Sequence, residues 1–91
     1  MCFGRLFACA AGLLVLAGGN AEAQDRCSQL WYERNSIFKE AGYCFRTPRA
    51  IRAFGNAGCS YDDESDVPLS VRRRQAVNEI RREERALGCP R

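Results

Sequence analysis

Apolar residues are arranged in two different ways along this chain. From Leu6 to about Ala17 they form one block, preceded by the single cation Arg5 and followed by small residues ending in Ala21-Glu22-Ala23. From Ser28 onward they are spaced. Leu30, Ile37, Phe38 and Ala41 recur on one face together with Arg34, the period of a half-buried helix. The spacing predicts a first helix over 28–41, with Ser28 as its cap and Gly42 stopping it in a left-handed position. Tyr43 and Phe45 then follow on a short extended exit.

A second, short helix is predicted with Thr47 as N-cap and Pro48 as first helical residue, since proline has no N–H to waste there. Ala50, Ile51 and Phe54 point inward, and Gly55 ends it. A turn-rich stretch, 56–60, and an acidic loop, 62–66, lead to a third helix. That helix starts at Pro68 or Leu69 and runs to Leu87. Leu69, Ala76, Val77, Ile80 and Leu87 form its apolar stripe, and Gly88 and Pro90 terminate it. The acidic run lies at its positive end, where the helix dipole favours it. The expected architecture is an all-α, three-helix domain, and the sequence contains no internal repeat.

The N-terminal block has the anatomy of a cleavable signal peptide, and it is too short to span a bilayer comfortably. The expected organisation is a leader over 1–23 and a helical domain over 24–91. Removing 23 of the 91 residues leaves 68, with no transmembrane segment after cleavage. Export, to a periplasm or beyond the cell, places the domain in an oxidising compartment. A domain this small gains only about 3–5 kcal/mol from its core and needs staples. Four of the six cysteines remain after cleavage: Cys27, Cys44, Cys59 and Cys89. They read as a framework of two disulfides. Zinc is disfavoured because there is no C-x-x-C pair and no histidine, and zinc sites use short ligand spacings.

Helix geometry limits the pairing. The first helix, about fourteen residues, is a rod of roughly 21 Å. Bridged Cα atoms must lie within about 7 Å, which excludes Cys27–Cys44. Two pairings remain. The preferred one nests Cys44–Cys59 inside Cys27–Cys89, making the first and third helices antiparallel. Arg34 then lies about 10 Å along one helix from the outer bridge, and Glu84 about 7.5 Å along the other. Both fall within apolar stripes, so a largely buried Arg34–Glu84 ion pair is expected.

Charge and composition narrow the chemistry. The net charge is +3, and it stays +3 once the leader takes Arg5 and Glu22 away. That balance is too mild for a nucleic-acid binder. With no histidine, neither a Ser-His nor a Cys-His nucleophile can be assembled, and 68 residues leave little room for a carboxylate-lined cleft. No enzyme, cofactor or metal site is expected. Asp62, Glu64 and Asp66 alternate like the start of a calcium loop, but Val67 stands where that loop needs glycine. The third helix carries Arg72, Arg74, Arg81, Arg82 and Arg85 among glutamates, a solvated and salt-bridged face. Arg46, Arg49 and Arg52 recur at i, i+3 around the short helix. With Tyr32, which lies nearly opposite the first helix's core face, they form the candidate binding surface. Trp31 borders the core. The partner expected is an envelope protein or an anionic envelope component.

Residues 31–45, Trp-Tyr-Glu-Arg-Asn-Ser-Ile-Phe-Lys-Glu-Ala-Gly-Tyr-Cys-Phe, resemble the YARHG domain. The likeness rests on Arg34-Asn35, an aromatic at Phe38, Gly42, and the aromatics Tyr43 and Phe45. Residues 54–59 and 87–89 resemble the exported, cysteine-containing branch of that family. The five residues in the naming position are here Phe38-Lys39-Glu40-Ala41-Gly42, which keep the aromatic and the glycine but lack the histidine. The resemblance implies a small exported bacterial accessory module with no established reaction or cofactor. A regulatory partner or inhibitor of an exported enzyme is the alternative.

Overall fold

The computed structural model describes the backbone of residues 4–90 and the side chains of residues 21–90. The expected leader's apolar block, with Cys2 and Cys9, lies outside the described side chains. Among the described residues three α-helices follow in order: α1 (Gly4–Glu40), α2 (Pro48–Phe54) and α3 (Val71–Leu87), with a 3-10 turn at Glu64–Asp66. The domain is all-α. No helix among the described residues is long and apolar enough to cross a membrane.

The first helix does not begin at Ser28. It continues upstream through residues 20–27, where Ala, Glu, Gln and Arg favour helix and no proline or glycine interrupts. Ser28 is therefore an interior residue, not a cap. The other end stops near the expected place. Gly42 adopts φ +95°, and a Cβ there would meet the Tyr61 ring at 3.4 Å. Its carbonyl accepts from the N–H groups of Ser60 (2.7 Å) and Tyr61 (3.0 Å). A parallel bridge between Tyr43 and Tyr61 results, so the exit of α1 is sewn to the loop before α3.

Helix α2 is capped by Thr47, whose hydroxyl accepts from the Ala50 N–H at 3.2 Å. Ala50 and Phe54 share a face, four residues apart, and Ala50 is buried. Ile51 corrects the expectation. It lies 100° round a helix only two turns long, and it is exposed. Helix α3 also starts later than expected. Its N-cap is Ser70, accepting from the Arg73 N–H at 3.2 Å. Val67 is buried beside Phe38 and Val77, and Leu69 packs against them. These two anchors turn the chain so that the acidic loop runs back along α3. Glu64 reaches Arg81 at 2.8 Å, midway along the helix, and no acid occupies the first turn of α3.

Helices α1 and α3 are antiparallel. Cys27 bridges to Cys89, Arg34 meets Glu84 and Glu40 meets Arg73, so rising numbers on α1 face falling numbers on α3. The bridges are Cys27–Cys89 (Cα–Cα 5.5 Å) and Cys44–Cys59 (5.2 Å). The buried core is small: Leu30, Phe38, Phe45, Ala50, Val67 and Val77. Asn56 completes it by acting as a substitute strand. Its amide donates to the Phe45 carbonyl (3.0 Å) and accepts from the Phe45 N–H (2.6 Å), satisfying backbone groups that no helix serves.

Candidate functional site

Two short supports position the aromatic side of the molecule. The Cys44–Cys59 bridge ties together the segments flanking α2, and the Asn56–Phe45 pair holds them in register. Helix α2 is thereby pressed against α1 at Trp31 and Tyr32. Phe54 stacks on Phe45 (centroids 5.2 Å) and touches Tyr32 (4.9 Å) and Trp31 (5.9 Å). The Arg49 guanidinium lies over the Trp31 ring, 3.8 Å from its centroid. A cation over indole in water is stabilised by about 0.5–1 kcal/mol, enough to orient the side chain.

The candidate surface residues are therefore unequal. Tyr32 is exposed and packed on Phe54 with its ring tilted by 37°, and Arg49 lies beside it on Trp31. Arg52 is exposed, on the outer side of α2. Arg46 is tethered elsewhere: its Nη2 donates to the Asp62 carbonyl at 2.8 Å. Among the described residues, neither Arg49 nor Arg52 forms a salt bridge, whereas Arg26, Arg34, Arg73 and Arg81 each hold a carboxylate.

An open groove of about 530 Å³ adjoins Arg49 and Trp31, with Gln24, Ser28, Glu84, Leu87 and Pro90 on its other walls. Leu87, the last residue of α3, is exposed here because no helix covers it. A second depression of about 400 Å³ is lined by Arg34, Arg81, Glu84, Arg85 and Pro90. Arg34 and Glu84 meet in a bidentate pair, Nε to Oε1 at 2.9 Å and Nη2 to Oε2 at 3.0 Å, with side chains only 16% and 12% exposed. Sequence patterning missed the groove, because it joins the turn before Cys27 to the segment after α3. It also misses the Arg26–Glu83 pair at 2.8 Å, since spacing alone starts the first helix only at residue 28. Among the described residues no three metal-binding side chains converge.

Two exposed acids are shifted. The hydrogen bond from Arg26 holds the Glu83 carboxyl below its ordinary 4.5. The Ser65 N–H, then its hydroxyl, hold Asp63 below its ordinary 3.8. Between each lowered value and the ordinary one, the unfolded chain binds a proton that the folded chain does not. Stability therefore rises with pH in that window and falls as pH drops through it. Thermal melts of the oxidised protein should be flat above about pH 5 and decline below. Glu83→Gln should flatten the acid limb, and the effect should shrink in high salt because the pair is exposed. An acid limb unchanged by Glu83→Gln would refute this assignment.

The family model described as the YARHG domain matches residues 14–85. No curated protein and no solved structure matches the chain.

Proposed function

The chain belongs to the YARHG domain family, small extracellular-type domains of unknown function; from that premise we propose an exported, non-catalytic binding module of the bacterial cell envelope. Its contact surface is Tyr32 with Arg49 and Arg52, and Arg46 at the margin. Its ligand is an anionic envelope component. The observation that carries this reading is the Arg49–Trp31 stack beside exposed Tyr32. A guanidinium held in place without a carboxylate is a preorganised anion contact, and little side-chain entropy is lost when it binds. Tyrosine and arginine are also the residues that dominate contact energies. Two disulfides fit an oxidising compartment.

Retention on purified cell wall and on anionic lipid vesicles tests the reading and separates the two sources of negative charge. Each arginine near such a surface contributes about 1 kcal/mol, or about fivefold in affinity. Arg49→Ala should weaken retention about fivefold, and raised salt should weaken it further. Retention that ignores both salt and Arg49→Ala would overturn the anionic-ligand reading. A stoichiometric complex with one exported protein would favour the regulatory alternative.

A further inference from the structure

Gln24 is exposed, lies one residue beyond Ala21-Glu22-Ala23, and stands on the wall of the Trp31–Arg49 groove. If the leader ends at Ala23, Gln24 carries the α-amine of the mature chain. We propose that Gln24 is a modification site, closing to a pyroglutamyl lactam that forms the end of the mature helix at this groove. The proposal rests on the export reading. In the reaction the α-amine nitrogen attacks the side-chain Cδ. The bond from Cδ to Nε2 breaks, and ammonia leaves with the proton taken from the amine. Nothing is oxidised or reduced, and no co-reactant is consumed.

One feature of the structure and two general arguments favour this end state. The chain is held just downstream, at Arg26 by Glu83 (2.8 Å) and at Cys27 by the bridge to Cys89. Gln24 is therefore the second residue before an anchored turn, and its side chain is exposed, on the solvent side of the amine that cleavage would free. A five-membered ring spanning N and Cα restricts φ as proline does, and a proline-like ring is tolerated at the first helical position. Cyclisation also removes a positive charge from the positive end of the shortened helix, where the dipole opposes it. The finished wall at residue 24 is a neutral lactam, which leaves Arg49 and the Arg34-paired Glu84 as the charged side chains of the groove.

The full chain should be expressed in an export-competent bacterium and its amines blocked by reductive methylation at lysis, so that later ring closure is not counted. Intact-mass and N-terminal peptide measurements then read the end. The expected result is a chain of residues 24–91 lighter by one ammonia, with no label on its α-nitrogen, while Gln24→Asn, which cannot close a stable ring, is labelled there. A wild-type chain beginning at Gln24 with a labelled amine would overturn the proposal and leave the export reading standing. A chain cleaved at another residue would likewise overturn the proposal alone, and a chain that keeps its first 23 residues would overturn both.

Discussion

Replacing Cys27 and Cys89 together by alanine is expected to cost about 4 kcal/mol and to leave the domain largely unfolded at 37 °C. The bridge closes a loop with a sequence separation of 62, for which chain entropy alone gives about 4 kcal/mol. The inner bridge closes 15 and is worth about 3 kcal/mol on the same basis. The buried core of Leu30, Phe38, Phe45, Ala50, Val67 and Val77 leaves little margin, since domains of this size obtain about 3–5 kcal/mol from packing. The outer bridge also ties α1 to the segment after α3 at the groove end of the molecule, beside the Arg26–Glu83 pair. Urea melts followed by circular dichroism would measure the loss. A double variant with the wild-type midpoint would show that packing, not the bridge, holds α1 against α3.

Arg34→Ala should cost about 3 kcal/mol, and Glu84→Ala about the same. Breaking a fully buried pair from one side costs about 3–5 kcal/mol because the remaining charge is left in a poor solvent. The lower figure applies here because both side chains keep some contact with water, at 16% and 12%. Removing both partners should cost much less than the sum, since no charge is stranded. An apolar replacement, Arg34→Met with Glu84→Leu, should come close to wild type. Denaturation of the four proteins closes a double-mutant cycle. Additive losses would mean that the two groups do not depend on each other.

Much of this architecture is legible from residue spacing. Leu30, Phe38 and Val77 are recognisable as core by their helical period, and all three are buried. Thr47-Pro48 marks the start of α2, and Gly88 takes up the left-handed conformation that ends α3. The same counting that places Arg34 and Glu84 within apolar stripes also sets them at one level. What spacing does not reveal are contacts made by loops. Val67 is one apolar residue at the edge of an acidic run, yet it is buried against Phe38, and it redirects the whole loop along α3. Asn56 sits in a turn-rich stretch that gives no hint of its two bonds to Phe45. Ser28 looks like a cap because it precedes an amphipathic run, but helix-favouring residues upstream extend α1 past it. At the candidate site, the i, i+3 arginines of α2 are visible in sequence. Their division is not: Arg49 lies on Trp31, Arg46 is bound to the Asp62 carbonyl, and Arg52 is left in solvent.

Whether the Tyr32–Arg49 surface meets envelope material in the cell is best measured with a photo-crosslinking residue placed at position 32 and, separately, at position 71. Val71 is the more exposed of the two, 73% against 54%, so exposure alone would favour adducts at 71. A binding surface centred on Tyr32 and Arg49 should give adducts with cell wall or anionic lipid from position 32, lost with Arg49→Ala, and few from position 71. Equal adducts from both positions, or none from position 32, would contradict it.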